Sequence, residues 1–412
     1  ALPKPKTILN MIKILHTADW HLGKRLERFP RLEEQILVMN EIVEIADREK
    51  ADLVLIAGDL FDNFNPATDA VELFYKTLKR LSLNGKRPVV AISGNHDSPY
   101  LIDAPDPLAR ECGIILIGHP KAEVAPFDLE HFKITASAEG FLELKLSAHP
   151  FPVRILHTAY ANEMRLKQYL GENREVALNE VLAKHWQENA DLFCDGNGVN
   201  LLMTHLYMNR KGTPLLDEPD GEKPIKIGNA DLVFSDSIPA QIQYTALGHL
   251  HRFQNIGSDE KPVVYASSPL CYSFSEAGQT KYISIISAEP NHNVSYEKMA
   301  LKNGKCLSRK QFDDIEETVQ WLTENPETFV ELTLKSQTFL KADERKRIFG
   351  SHKGIVHLIP KIAHDPVSEN QLPEIDLSQD PLPLFREYFK SKNNGQEPNE
   401  ELISLFKEIE NL

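Results

Sequence analysis

The sequence predicts an α/β fold, and three observations carry the prediction. Short apolar runs alternate with stretches of helical period from Met11 to about Gly118. The spacing between runs suits βαβ crossovers and a largely parallel sheet. Five of the apolar runs end in aspartate, asparagine or histidine, the arrangement expected where the C-terminal strand ends of an α/β sheet gather around a ligand. At roughly 150 residues per domain, 412 residues suggest two or three domains.

Taken in order, Met11–Leu15 (MIKIL) reads as a strand and Gln35–Ala46 places its apolar residues on one helical face. Leu53–Ala57 (LVLIA) is a second strand and Asp69–Leu83 a second helix, followed by strands at Pro88–Ile92 and Ile114–Ile117. Between Lys121 and Ile155 the runs shorten, and His131–Ala136 and Phe141–Leu146 read as added antiparallel or edge strands. Asn173–Asn189 resumes helical character. Asn200–Met203, Gln243–Leu247, Pro262–Tyr265 and Tyr282–Ile286 are further strands, while Met208–Phe234, rich in glycine, proline and charge, reads as a long mobile loop.

After about Pro290 the composition changes. Asp314–Asn325, Phe329–Leu334, Lys341–Phe349 and Ile355–Ile359 form a compact αβαβ set, read as an accessory domain. Residues 361–380 hold five acids, two prolines and one lysine, a linker composition. Beyond it, Leu384, Phe385, Tyr388 and Phe389 share one helical face, and Leu402, Leu405, Phe406, Ile409 and Leu412 form a second stripe across the Asn394-Gly395 break. An amphipathic helical hairpin behind an acidic linker can fold back on its own domain or, as the separating linker favours, make a groove-binding contact with a partner.

Lysine and arginine number 46 against 60 aspartates and glutamates, a net charge of −14. That excludes attachment to nucleic acid or anionic lipid by bulk positive charge, but leaves open a local site where cations supply the charge. No apolar run is long enough to span a bilayer. The opening ALPKPKTILN has no apolar core and reads as a short extension ahead of Met11 rather than a signal peptide. The four cysteines form no CxxC pair, so neither a disulfide framework nor a zinc knuckle is expected, and a reducing cytoplasm is.

The chemistry sits at the strand ends: His16-Thr-Ala-Asp19-Trp-His21, Gly58-Asp59-Leu-Phe-Asp62, Gly94-Asn95-His96-Asp97, Thr204-His205 and Gly248-His249-Leu-His251. In D-x-H and H-x-H, side chains two apart on an extended segment point the same way, so each pair can face one ion. Carboxylates are hard oxygen ligands, imidazoles suit first-row metals, and one carboxylate can bridge two ions. The glycines before Asp59, Asn95 and His249 allow a tight turn at the strand end. A single histidine or aspartate at such a place is more often a turn residue or helix cap; His16, His119 and His157 are read as structural on that ground. Five such ends in one chain point to a dinuclear site that activates water against a phosphodiester. His96, beside the candidate ligand Asn95, is placed to protonate the leaving oxygen. Asp62 and Asp97 are expected behind the ligands rather than on the ions.

The series DxH, GDxxD, GNHD, H and GHxH resembles the calcineurin-like metallophosphoesterase superfamily. The runs ILHTADWHLG (14–23), AGDLFD (57–62) and ALGHLHR (246–252), with Ser268-Pro269, Phe274-Ser275-Glu276 and Lys281-Tyr282, resemble the SbcD nuclease family of double-strand-break repair. The resemblance covers about residues 11–290. It implies a four-layer α/β/β/α sandwich over 11–288, a small α+β DNA-binding cap over 289–360, a linker over 361–380, and a helical hairpin over 381–412 that grips an SbcC-type coiled-coil ATPase. It also implies two divalent ions, usually manganese with magnesium as the alternative. Asp19, His21, Asp59 and His251 would hold one ion; Asp59 would bridge to a second completed by Asn95, His205 and His249, with His96 as the catalytic histidine. The implied activity is 3′-5′ exonuclease cleavage of double-stranded DNA ends, ATP-dependent, and endonuclease cleavage of single strands and hairpins. Such a subunit would serve DNA repair, recombination and replication in the nucleoid-associated cytoplasm. The nuclease would be a homodimer, here through the helix Asp69–Leu83 with Val71, Phe74 and Tyr75 exposed, and a heterotetramer with its ATPase. Lys24, Arg25 and Arg252, with Arg28, Arg31, Arg210 and Lys211, would form a phosphate track.

Two competing readings remain. A metallophosphoesterase acting on a small phosphodiester or a phosphoprotein would share the metal site. Phosphoprotein phosphatases typically read GDxVDRG and GNHE, however, whereas this chain has GDLFDNF and GNHD. A non-catalytic DNA-end scaffold is the other, and the complete ligand set with His96 in place counts against it.

Overall fold

The computed structural model describes residues 11–170, 174–219, 232–336, 340–362, 381–392, 397–398, 402–404 and 406–407. Two sheets lie face to face, as a four-layer sandwich requires. The first has six strands in the order Ser295–Ala300, Tyr282–Ala288, Ile12–Thr17, Leu53–Ala57, Val89–Ile92 and Ile114–Ile117; the last four run parallel and the first two antiparallel. The second has seven, in the order Gln254–Asn255, Val263–Tyr265, Tyr244–Gly248, Val199–His205, Pro152–Thr158, Phe141–Leu146 and Phe132–Ala138. Its centre is parallel, and the runs read as added antiparallel strands form its edge.

The run LVLIA shows why both faces are covered. Side chains alternate across a strand. Leu53, Leu55 and Ala57 enter the core between the sheets, whereas Val54 and Ile56 pack into a second core under the helices Leu32–Arg48 and Thr68–Leu81. On the far side, Leu178, Leu182, Trp186 and Ala190 of the helix Arg174–Phe193 cover the second sheet, and Trp186 Nε1 donates to Thr158 Oγ1 at 2.8 Å. The result is four layers, α/β/β/α.

Several expectations need correction. Phe74 is fully buried among the residues under the first sheet, and Val71 and Tyr75 are partly buried against the same cluster, so Phe74 offers nothing to a second copy. The helix turns its apolar stripe inward, as amphipathic helices do. The strand Ser295–Ala300 belongs to the first sheet, which places the start of the accessory sheet at Cys306 rather than near 289. That accessory sheet joins Cys306–Phe312, Thr328–Ser336 and Ile355–Ile362, with helices Ile315–Glu324 and Ala342–Ser351 around Leu322, Val330, Leu332, Leu334, Ile348 and Ile355. A small cluster of Leu26, Cys271, Phe274, Leu307 and Phe329 seats it on the main body.

The loop over Met208–Phe234 is partly ordered: Met208–Asn209 pairs with Val233–Phe234, and 220–231 lie outside the described residues. So do residues 1–10 and, of the expected linker, 363–380; Lys361 and Ile362 end a strand. The C-terminal unit, described by itself, contains the helix Pro381–Lys392. Phe385 stacks on Phe406 with ring centroids 4.4 Å apart, so the two apolar stripes meet. Leu405, Ile409 and Leu412 lie outside the described residues. Among the described residues no helix is long and apolar enough to cross a membrane.

Candidate metal centre

All five strand-end motifs come together where the two sheets present their C-terminal strand ends. Three groups of donors each lie within 4.8 Å of one another: Asp19, His21 and His251; Asp59, His205 and His249; and His21, Asp59 and His96. Every one of these side chains is buried. Asn95 joins through Oδ1, 2.9 Å from His205 Nε2. Asp59 stands at the middle, with Oδ2 3.6 Å from His21 Nε2 and 3.3 Å from His205 Nε2.

The backbone is bent hard to make this happen. Asp19, His21, Asp59 and His249 have φ of 53°, 44°, 47° and 106°, a region that costs side-chain-bearing residues about 1–3 kcal/mol each. Backbone bonds hold the two loops in register: Asp19 N–H donates to Gly58 O, His21 N–H to Asp59 O and Leu22 N–H to Leu60 O. Asp97 adds a staple, its buried carboxylate accepting from the backbone N–H groups of Leu60, Phe61 and Gly94. Asp97 thus ties the backbone of the GDLFD and GNHD turns together. Asp62 pairs with Lys24 at 3.0 Å, and its carbonyl accepts from His96 Nδ1 at 2.7 Å. All three glycines, Gly58, Gly94 and Gly248, serve close approach, and Gly58 also turns at φ 88°: a Cβ there would lie 2.3 Å from His205 Nδ1, and one at Gly94 2.1 Å from Asp59 Oδ1.

The donor set fits divalent cations. Asp19 Oδ2 is buried and has no hydrogen-bond partner among the described residues, an arrangement that buried polar atoms rarely tolerate. His21 Nε2 and His251 Nε2 face each other at 3.0 Å, two ring nitrogens sharing one point. Burial lifts the Asp19 carboxyl to about 6, against the pull of His205 and His251. Burial also opposes charge on His205, yet Asp59 and Asp19 push it up to about 9. The carboxylates therefore hold a proton in the centre, a charge that a metal ion would displace. His249 is held neutral by burial and can offer a ring nitrogen.

Two supporting acids were not legible as such in the sequence. Glu218 Oε1 bonds His249 Nε2 at 2.8 Å, which leaves Nδ1 as that ring's other nitrogen. Glu276 Oε1 lies 3.4 Å from His251 Nδ1, and its carboxylate also pairs with the buried Lys281. Burial alone would raise Glu276, but Lys281 and His251 hold it well below the ordinary carboxylate range. Carboxylates behind metal-binding imidazoles orient the ring and raise its basicity. Arg165 is a third residue of this kind: it donates to Ser93 Oγ, Gly94 O and Asp97 O, and so braces the GNHD turn.

The basic residues divide. Arg25, Arg28, Arg210, Lys211 and Arg252 are exposed. Arg31 is not: it is 1% exposed, bonds Glu34 and Cys271 O, and lies over the Phe329 ring, so it is removed from the phosphate track. His16 is buried with Nδ1 3.0 Å from the Tyr244 hydroxyl, and His157 is buried in the strand Pro152–Thr158, both apart from the cluster. His119 lies near Asp103.

The sequence matches the calcineurin-like phosphoesterase family over residues 12–252. The SbcD subunit of the SbcCD nuclease from Bacillus subtilis (strain 168) is 34% identical over 405 residues, 97% of this chain and 97% of that protein. Among solved structures, a dimetal phosphatase from Danio rerio aligns at a TM-score of 0.39 with 12% identity, covering 71% of this chain and 99% of that one. TT1561 of Thermus thermophilus aligns at 0.35 with 11% identity, covering 70% and 99%.

Proposed function

The chain belongs to the calcineurin-like phosphoesterases and, among them, to the SbcD nuclease family, and from that premise we propose that it is a metal-dependent DNA nuclease working with an SbcC-type ATPase. One observation carries the reading: a buried cluster of carboxylate, amide and imidazole donors on five strand-end loops, in a chain related end to end to a nuclease subunit. Asp19, His21, Asp59 and His251 would hold one ion, and Asp59, Asn95, His205 and His249 would hold the other. Manganese, with magnesium as the alternative, is the metal that the family relationship implies.

Two cations held there would supply Lewis acidity and activate water at neutral pH. The remaining work belongs to the chain. Asp59 places the two halves of the cluster on one carboxylate. His96 is fixed from both sides, its N–H donating to Asp59 Oδ1 at 2.9 Å and its Nδ1 bonded to the Asp62 carbonyl. A carbonyl only accepts, so Nδ1 carries a proton there, and Nε2 must carry the second proton of an imidazolium to donate it to the leaving oxygen. Lys24, Arg25 and Arg252 line the approach as phosphate contacts.

In this reading the protein is cytoplasmic, dimeric, and acts in DNA repair, recombination and replication. It cuts double-stranded ends 3′-5′ and single strands and hairpins internally. Residues 306–360 cap the site, and 381–412 bind the ATPase coiled coil, the Phe385–Phe406 stack joining the two halves of that grip. The test is manganese-dependent cleavage of end-labelled duplex and hairpin DNA, with and without the ATPase. Wild type should cut and His96→Ala should lose about 10²–10⁴-fold in rate while retaining manganese. Undiminished cleavage by the variant refutes the role of His96. Absent DNA cleavage with rapid hydrolysis of a small phosphodiester moves the substrate elsewhere.

A further inference from the structure

A cavity of 450 Å³ opens directly against the metal centre, with Asn95 in its wall. Its size falls within the ~300–1,000 Å³ range of small-molecule sites. Loops following four different strands line it, all at the ligand-binding edge of the sheets. Tyr100 and Tyr160 give it aromatic surface; His119, Arg165 and Lys167 give it positive potential. No acidic side chain lines it among the described residues, which is unexpected in a chain of net charge −14. The cavity on the other flank, under the accessory sheet, is lined by Glu27, Asp62 and Glu331 among its cations.

The two tyrosines are built differently. Tyr160 is 8% exposed and carries the Arg165 guanidinium over its ring at 4.8 Å, so it is a finished wall. Tyr100 is 71% exposed and, among the described residues, its ring meets the edge of His119 at 5.0 Å between centroids. An exposed aromatic face beside cations and next to a phosphodiester-cleaving centre is the equipment that single-stranded nucleic acid uses to stack a base. We propose that this cavity is a nucleobase subsite: the base flanking the scissile phosphate on the Asn95 side leaves its stack and lies on Tyr100, with Lys167 toward the adjoining phosphate. The inference rests on the nuclease reading and deepens it. It explains how a buried centre reaches a backbone phosphate, since a strand must be unstacked locally to enter.

The test compares two substrates on the full chain with manganese. Methyl 4-nitrophenyl phosphate lacks a base; a single-stranded oligonucleotide has one on each side of the cut. Tyr100→Ala should raise the oligonucleotide KM by about tenfold, one stacking contact's worth, and leave the small diester within about twofold. Tyr100→Phe, which keeps the ring, should restore the oligonucleotide KM. In the His96→Ala background, an oligonucleotide carrying 2-aminopurine at the flanking position should lose fluorescence on binding, and Tyr100→Ala should abolish the loss. If wild type cuts DNA and Tyr100→Ala binds and cuts it equally well, the subsite is refuted and the nuclease reading stands. If Tyr100→Ala changes only the oligomeric state, the patch belongs to a second copy and the proposal falls. If wild type cuts no DNA, the nuclease reading itself fails.

Discussion

Replacing Gly248 by alanine tests how the centre is assembled. A Cβ there would lie 1.8 Å from the Ala57 carbonyl oxygen and 2.7 Å from His205 Nδ1, and real Cβ atoms do not approach closer than 3.0 Å. The strand Tyr244–Gly248 of one sheet and Leu53–Ala57 of the other must therefore part by at least 3.0 − 1.8 = 1.2 Å. Neither obstacle is the free end of a flexible chain, and both strands are buried on every residue. Overpacking of this kind costs about 1–3 kcal/mol. The bond from His205 Nδ1 to Ala57 O at 2.9 Å is lost with it, adding ~1 kcal/mol. The expected destabilisation is about 2–4 kcal/mol by urea unfolding. Because His205 and His249 move, manganese affinity by calorimetry should fall at least about tenfold, as when support behind a ligand is removed. Gly212→Ala is the control. Gly212 has φ 78° with nothing within 4 Å of its would-be Cβ, so it should cost ~1 kcal/mol and leave metal affinity alone. Wild-type stability and affinity in Gly248→Ala would refute the close-approach argument.

Glu276→Gln leaves the Lys281 ammonium, its side chain 6% exposed, without its charge partner. Removing one member of a buried pair costs about 3–5 kcal/mol, and a melting temperature unchanged from wild type would count against the assignment. Burial holds both His16 and His157 down to about 3, the latter helped by His185, against 6.5 when exposed. Below pH 6.5 the unfolded chain takes up protons that the folded chain refuses, so stability falls as pH drops from 6.5 toward 3. At pH 5 the loss is ~2 kcal/mol for each histidine. Urea midpoints at pH 7.5 and 5.0 should show it, and His157→Gln should lose less than wild type over that interval; an identical decline in the variant would refute the reasoning.

The cluster itself was legible from the chain because its chemistry is local. A ligand at a strand end needs an apolar run, then a turn, then a donor, and all three are adjacent in sequence; hence Asp19, His21, Asp59, Asn95, His205, His249 and His251 could be named before any contact was known. Helix and strand types followed from periodicity, which reports how a segment divides its faces. Periodicity does not say what a face meets. Which apolar runs share a sheet is chosen by packing over distances the pattern does not encode, and the alternation in Leu53–Ala57 feeds two different cores. Phe74 and Tyr75 sit next to each other, yet only Phe74 is fully buried.

Charge behaved the same way. Arg31 lies in a run of basic residues that reads as surface, but it goes inside because Glu34 and the Cys271 carbonyl, three and 240 residues away, satisfy its guanidinium. Glu218 and Glu276 reach their histidines across 31 and 25 residues. What the sequence determined by itself is the inventory: which segments are strands and helices, and which donors stand at their ends. Only the tertiary structure decided which donors share a point, which acids stand behind them and which cations stay in water. The reason is that a hydrogen bond or an ion pair is a statement about two positions, and the chain by itself specifies them one at a time.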